Sequence, residues 1–144
     1  IVKNNINSLI TQTKKENVTI INDVDDGIHV QAIPAYLDSI VMNFITNAIK
    51  YSSKERESFL RIQSEKTDKH VVLKFIDNGL GIDLKKHGHK LFGMYKTFHK
   101  HEDSRGIGLF ITKNQIEAMD GKIEVESEVN IGTTFKIYLQ YEKN

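Results

Sequence analysis

Cysteine is absent from this 144-residue sequence, which excludes disulfide bonds and thiolate metal sites. No apolar stretch approaches the ~18 residues needed to cross a bilayer, and no signal-peptide pattern is present. The net charge of +1 is too balanced to predict binding to nucleic acid. What is present is the composition of an ordinary globular domain, with 39% hydrophobic and 27% charged residues.

The length suits one compact domain better than two. The chain begins at Ile1, within a helical pattern, and not at a methionine. We therefore interpret the sequence as a fragment of a longer protein. Residues 1–17 are expected to be the end of a preceding helix or linker, and residues 18–144 the domain itself.

The periodicity of the apolar residues predicts helices that alternate with pairs of strands. The expected strands cover residues 18–24, 28–32, 59–64, 71–76, 122–126 and 134–139. The expected helices cover residues 1–14, a segment from Pro34 to about Tyr51, and residues 106–119, with Asp120-Gly121 as a C-terminal cap. This order predicts an α+β two-layer sandwich, in which a mixed, mostly antiparallel sheet carries its helices on one face.

The helix that opens at Pro34 carries two stripes. Its apolar stripe faces a core and consists of Leu37, Ile40, Val41, Phe44, Ile45, Ala48 and Ile49. Beside it runs a polar stripe of Asn43, Asn47, Lys50 and Tyr51. A carboxamide oxygen can bind Mg²⁺, a lysine can contact phosphate and a tyrosine can lie against a base. The simpler interpretation of the polar stripe is a partly solvated helix flank.

Two glycine-containing segments allow a ligand to approach the backbone closely. Asp77–Ile82 follows an apolar strand, and its carboxylate could accept a hydrogen bond from an amine such as that of adenine; a tight turn is the simpler interpretation. Ser104–Leu109 precedes a helix, whose N-terminus favours anions. It lacks the P-loop and dinucleotide-binding patterns, and alone it could be an ordinary turn. Gly132–Phe135 is by itself a turn followed by a strand.

A basic stretch lies between Lys85 and Arg105. It contains six lysines and arginines and four of the six histidines, opposed only by Glu102 and Asp103. The stretch could be a solvated loop or a loop that contacts a polyphosphate. The histidines at 87, 89, 99 and 101 could bind a metal, although an irregular loop favours solvated histidines.

Taken together and in this order, the motifs resemble the ATP-binding domain of sensor histidine kinases, within the superfamily of gyrase, the ninety-kilodalton heat-shock chaperone and mismatch-repair ATPases. Leu37–Ser52 resembles the asparagine box and Asp77–Ile82 the first glycine box. Lys90–Lys96 resembles the phenylalanine box and Ser104–Leu109 the second glycine box, while Gly132–Phe135 resembles the motif that closes the site. The resemblance covers residues 18–140 and implies the Bergerat ATP-binding fold.

For the adenine half of ATP, the resemblance implies that Asp77 accepts the adenine amino group. Gly79 and Gly81 would shape the pocket, Tyr51 would pack on the base, and Thr133 would lie near it through its hydroxyl or a water.

For the phosphate half, the resemblance implies that Asn47 binds Mg²⁺ and that Asn43 supports the phosphates or the metal. Lys50 would contact phosphate, while Lys96 and Arg105 would reach the triphosphate from a lid. Further nucleotide contacts would come from Ile82, Gly106, Ile107, Gly108 and Leu109. Two positions depart from the family pattern, because Ser104 replaces the usual first glycine of its box and Arg105 replaces a small residue.

The resemblance also bears on the reaction. Hydrolysing members of the superfamily carry a glutamate base at the position of Asn43, and an amide cannot accept a proton at neutral pH. We therefore expect very slow ATP hydrolysis and transfer of the γ-phosphoryl to a histidine, whose neutral imidazole is already a nucleophile. No histidine of this chain has the setting of the phosphoacceptor.

The implied partners are ATP or ADP, a phosphoacceptor helical hairpin elsewhere in the same protein and a downstream response regulator, with no nucleic acid. The fragment is expected to be a monomer and the full-length protein a homodimer. A cytoplasmic domain is implied, and whether the parent protein is anchored in a membrane stays open. The alternatives are a pseudokinase that acts as an interaction module and an anti-sigma-factor kinase that phosphorylates serine.

Overall fold

The computed structural model describes residues 18–24, 30–81 and 103–140, with side chains described from residue 109 onward in the last segment. In these ranges the chain forms β1 (Val18–Asp23), α1 (Pro34–Lys50), β2 (Ser58–Lys66), β3 (His70–Asp77), α2 (Asp103–Ala118), β4 (Lys122–Glu128) and β5 (Gly132–Gln140). The predicted helix over residues 1–14 lies outside the described residues.

The strands form one five-stranded sheet in the order β1-β2-β3-β5-β4. β1 pairs with β2 in parallel, and the other three pairings are antiparallel. α1 is the connection between the two parallel strands, which require a crossover of this kind. The predicted α+β sandwich with a mixed, mostly antiparallel sheet is therefore confirmed.

The core lies between one face of the sheet and the two helices. All seven residues of the predicted apolar stripe of α1 are buried. Phe44 lies at its centre, with ring centroids 4.7 Å from Phe75 on β3 and 4.8 Å from Phe135 on β5. From α2, Leu109 and Ile116 are fully buried in the same core. The period-2 burial of β5 shows the other half of the same arrangement, because every second residue from Thr133 to Leu139 is buried.

The predicted strand over residues 28–32 is not a strand of this sheet within the described residues. Val30 forms a single β-bridge, and the Gln31 N–H donates to the Gln140 carbonyl at 2.9 Å. The register explains this limited pairing: β4 begins opposite Tyr138, so the end of β5 extends past the first residue of β4. Gln31 pairs with that end.

Helix α2 begins at Asp103, three residues before the predicted start at Gly106. An acidic residue, Asp103, opens its first turn, where the helix dipole favours negative charge. At the other end, Gly121 N–H bonds to Ile116 O at 3.0 Å and Asp120 N–H to Glu117 O at 3.0 Å. This is a Schellman cap, and its left-handed residue is Asp120 (φ 59°). Gly121 is required for space, because a Cβ there would lie 2.5 Å from the Tyr138 carbonyl oxygen.

The face of the sheet that does not contact the helices carries ion pairs between neighbouring strands. Lys74 lies 2.9 Å from Glu65, and Lys136 lies 2.8 Å from Glu126. The hydrogen bond and charge of Lys74 lower the pKa of Glu65, and those of Lys136 lower the pKa of Glu126. A hydrogen bond to Glu124 raises the pKa of Tyr138. These charged groups lie on the face of the sheet that does not contact the helices, where exposed ion pairs contribute little to stability.

Candidate functional site

The first glycine box lies where β3 ends. Asp77 is the last residue of that strand and is paired in register with Thr133 of β5. The carboxylate oxygen Oδ1 of Asp77 accepts a hydrogen bond from the Gly79 N–H at 2.8 Å. This local bond from an aspartate to the backbone two residues on stabilises the turn and orients the carboxylate.

The two glycines of this box are required by close backbone contacts. A Cβ at Gly79 would lie 2.6 Å from the carbonyl oxygen of Tyr51. Gly81 has a φ of +75°, and a Cβ there would lie 2.1 Å from the carbonyl oxygen of Glu128. The Leu80 N–H donates to Tyr51 O at 3.1 Å, and the Asn130 N–H donates to Leu80 O at 2.8 Å. The turn after β3 is therefore held between the end of α1 and the turn that joins β4 to β5.

The closing motif, Gly132–Phe135, lies beside the first glycine box. A Cβ at Gly132 would lie 2.0 Å from the Asp77 carbonyl oxygen, so only glycine allows β5 to start this close to the end of β3. Thr133 follows and is 3% exposed. Its hydroxyl lies 2.7 Å from that of Ser127 on β4. The structure thus brings together Asp77, Gly79, Gly81 and Thr133, the positions that the resemblance assigns to the adenine half of a site.

The polar stripe of α1 ends beside the first glycine box. Tyr51, which follows the last residue of the helix, is 8% exposed, and its backbone contacts the first glycine box. Lys50 is exposed, with its Nζ 5.5 Å from the Tyr51 ring centroid. Asn47 lies one turn before Tyr51 and accepts the Tyr51 N–H through its backbone carbonyl at 3.0 Å.

Asn43 lies one helical turn before Asn47 in α1 and is therefore further from the first glycine box. It contacts α2. Its carboxamide nitrogen donates to the hydroxyl of Thr112 on α2 at 3.0 Å. Thr112 is fully buried. The two helices are therefore joined by a side-chain hydrogen bond within the predicted polar stripe.

The remaining predicted positions are only partly described. Ile82 and Lys96, with the whole phenylalanine box, lie outside the described residues. Arg105, Gly106, Ile107 and Gly108 belong to the first two turns of α2, and their side chains also lie outside the described residues. Leu109 is fully buried in the core, so a contact from Leu109 to a ligand would come from its backbone.

Within the described ranges, no helix is long and apolar enough to cross a membrane. Those ranges also contain no cluster of three or more histidine, cysteine, aspartate or glutamate residues that could hold a metal ion. The four histidines of the basic stretch, which the sequence offered as possible metal ligands, lie outside the described residues.

Comparison with known proteins adds to this geometry. The model of a family described as histidine kinase-, DNA gyrase B-, and HSP90-like ATPase matches residues 32–143, which is most of the chain. The chain belongs to this family. The resemblance to histidine kinase ATP-binding domains that the motifs indicated is confirmed.

Individual members of the family agree with this assignment. The signal transduction histidine-protein kinase ArlS of Staphylococcus aureus (strain USA300) is 27% identical over 114 residues, which cover 77% of this chain and 25% of ArlS. The chain thus spans about a quarter of the length of the curated relatives it matches.

Solved structures of two histidine kinases share the fold. The catalytic domain of ThkA has a TM-score of 0.82 at 21% identity, covering 97% of this chain and 91% of that domain. Full-length ShkA has a TM-score of 0.79 at 19% identity, covering 99% of this chain and 30% of ShkA.

Two sets of contacts around the candidate site were missed by the sequence analysis. One is made by Thr112, a buried polar residue between Leu109 and Ile116 on the apolar face of α2. A polar residue at a core-facing position could have predicted a buried hydrogen bond there. The other is the contact of Arg56 with Asn78. Asn78 belongs to the first glycine box, which the sequence singled out. Arg56 reaches the Asn78 carbonyl from the loop before β2, and nothing in its local pattern separates it from ordinary loop residues.

Proposed function

We propose that this domain binds Mg-ATP and donates the γ-phosphoryl group to a histidine on a helical hairpin of the same parent protein. The observation that carries the proposal is the juxtaposition of Asp77 and Thr133 in register at the end of β3, directly beside Tyr51 at the end of α1. Motifs far apart in sequence meet there, around a backbone that has room only for glycine.

The adenine would bind at the first glycine box. An ionised carboxylate is an acceptor with about four lone-pair sites, so Asp77 can hold the Gly79 N–H and accept the adenine amino group as well. Thr133 would contribute its hydroxyl next to the base. Gly79 and Gly81 fit this role, because backbone without a side chain lets a planar ligand approach closely.

The triphosphate would extend from there along the polar stripe of α1. The carboxamide of Asn47 offers the hard oxygen that Mg²⁺ prefers, and Lys50 offers a cation for a phosphate. Bound Mg²⁺ would neutralise charge on the transferring phosphoryl group. The N-terminus of α2, with Arg105 and the second glycine box, suits an anion, and we assign Lys96 to the same phosphate-binding role.

Transfer to histidine suits these residues better than hydrolysis. The position of a hydrolytic base is held by Asn43, an amide that cannot accept a proton, and its nitrogen is engaged by Thr112. A water in the site would therefore not be activated from α1. A neutral imidazole needs no such base, because it is already a nucleophile.

Support also comes from a structural relative, since ShkA was crystallised in complex with AMPPNP, an ATP analogue. By the same reasoning the partners of the parent protein would be its phosphoacceptor hairpin and a response regulator. The parent would act as a homodimer with this domain in the cytoplasm.

The test is calorimetric titration with ADP and a non-hydrolysable ATP analogue, with and without Mg²⁺, followed by a measurement of ATP turnover. The proposal predicts saturable binding of both nucleotides, a gain from Mg²⁺ for the triphosphate, and very slow turnover. Absence of saturable binding would instead support a pseudokinase that acts as an interaction module. Rapid turnover would identify a hydrolase and contradict the proposed transfer to histidine.

A further inference from the structure

Arg56 lies in the loop between α1 and β2 and reaches the first glycine box. Its Nε donates to the carbonyl oxygen of Asn78 at 2.8 Å, and its Nη2 donates to that of Gly79 at 2.7 Å. One guanidinium thus holds two consecutive carbonyls. The planar fork of arginine is suited to such a two-point contact, whereas the point charge of lysine is not.

Both peptide groups are also held at their other end. The carbonyl of Asn78 shares a rigid peptide plane with the N–H of Gly79, which donates to Asp77 Oδ1 at 2.8 Å. The carbonyl of Gly79 shares the next plane with the N–H of Leu80, which donates to Tyr51 O at 3.1 Å. Arg56 is therefore linked, through one planar group each, to the Asp77 carboxylate and to the end of α1.

The side chain of Asn78 reinforces the same connection. Its Oδ1 accepts the Phe59 N–H at 2.9 Å, and its Nδ2 donates to the Glu57 carbonyl at 2.8 Å. The pairing of β2 with β3 ends at Leu60 and Asp77, so this carboxamide continues the contact between the two segments one residue beyond that pairing. The loop carrying Arg56 is thereby fixed against the turn that it holds.

We propose that Arg56 is a positioning residue for the adenine pocket: it sets the two peptide planes after Asp77 and so the direction of the Asp77 carboxylate. This inference rests on the proposed function, because it concerns how tightly and how selectively the pocket holds adenine. Arg56 is itself exposed, so water can hydrate the two carbonyls when the guanidinium is removed. The fold is therefore expected to survive its replacement.

The experiment compares wild type with Arg56→Gln and Arg56→Lys, measuring the dissociation constants of ADP and GDP by calorimetry and the melting temperature of each variant. Arg61→Gln is the matched control, because Arg61 is another exposed arginine but is paired with Asp23, at 3.4 Å, across β1 and β2. The ratio of ADP to GDP affinity is the decisive reading, since a partly unfolded protein would lose both ligands equally.

We expect Arg56→Gln to weaken ADP binding on the order of tenfold, equivalent to ~1.4 kcal/mol, and to reduce the preference for ADP over GDP. Arg56→Lys should not restore either property, and Arg61→Gln should match wild type. Unchanged ADP affinity and selectivity in Arg56→Gln, an equal loss for both nucleotides, or full restoration by lysine would each overturn the positioning role. A wild-type protein that binds no ADP would overturn the proposed function itself.

Discussion

Asn43 on α1 and Thr112 on α2 are joined by a hydrogen bond of 3.0 Å between the carboxamide nitrogen and the hydroxyl oxygen. The contact links the asparagine-bearing helix to the helix that begins with the second glycine box. Asn43, which the resemblance places where hydrolysing members carry a glutamate base, therefore also serves as a contact between helices. Under the proposed function, this residue would hold α2 in place and would not activate water.

Removal of the Thr112 hydroxyl should weaken the pairing of the two helices. Thr112 is fully buried, so Thr112→Val would leave the Asn43 amide without this acceptor and should cost about 1–2 kcal/mol of unfolding free energy. Thr112→Ser, which keeps the hydroxyl, should retain more of the stability. Urea denaturation measures both variants, and a valine variant as stable as wild type would show that the bond contributes nothing.

Asn47→Ala should remove the gain that Mg²⁺ gives to binding of an ATP analogue. Even residues behind the direct ligands contribute about 10- to 100-fold to metal affinity, so a direct ligand should contribute at least as much. Titrations with and without Mg²⁺ measure this gain. Thr46→Ala is the control, because the Thr46 hydroxyl bonds within the helix to the Met42 carbonyl at 2.9 Å. An undiminished Mg²⁺ gain in Asn47→Ala would remove Asn47 from the metal site.

Gly81→Ala should destabilise the domain by about 3 kcal/mol, because the left-handed backbone and the added Cβ both carry a cost. The φ at this position is +75°, and the Cβ would lie 2.1 Å from a backbone oxygen. Thermal and urea unfolding measure the loss. Asn130→Gly, at a φ of 66° in the neighbouring turn, is the control and should be neutral or slightly stabilising. Equal stability of Gly81→Ala and wild type would contradict the close packing of Gly81 against the Glu128 carbonyl.

Lys136→Gln should change how stability depends on pH. Lys136 lowers the pKa of Glu126 below 4.5 through their hydrogen bond and charge, so the stabilisation is present at neutral pH and is lost as pH falls through that lowered pKa. The difference in stability between wild type and variant should therefore vanish in acid. It should persist upward past pH 10.5, since Glu126 in turn raises the pKa of Lys136.

An NMR titration of the Glu126 carboxyl checks this prediction directly. The pKa of Glu126 should rise in Lys136→Gln and stay lowered in Lys113→Gln, whose lysine pairs with Glu117 on α2 at 3.7 Å. The same low pKa of Glu126 in wild type and Lys136→Gln would contradict the assigned cause.

The parts of the fold that follow from local periodicity were predictable from the sequence. The apolar stripe of α1 was predicted residue by residue, and the strand over residues 134–139 was predicted from its period-2 pattern. The start of α2 was misplaced because glycines suggested a turn, whereas the acidic Asp103 favours a helix start three residues earlier. The parallel pairing of β1 with β2 depends on the path of the chain, which local patterns do not encode.

The candidate site likewise contains residues that were predictable from the sequence and residues that were not. Asp77, Gly79 and Thr133 belong to recognisable motifs, so their roles were predicted and the structure brings them together. Arg56 contacts residues 22 and 23 positions away from a polar loop without periodicity. Its partners are backbone carbonyls, which every residue possesses, and so no side-chain pattern could reveal the contact.

The most direct test of the account is the affinity of ADP for wild type and Asp77→Asn. Asparagine keeps an oxygen that can accept the Gly79 N–H, so the turn should survive, but the charge is lost and an amide can oppose the adenine amino group. Asp23→Asn, on the edge strand β1, is the control. We predict saturable binding by wild type and the control, and a loss of about 100-fold in Asp77→Asn, in keeping with ~1.5–3 kcal/mol for a charged hydrogen bond. Equal affinity in all three proteins would contradict the placement of adenine at the first glycine box.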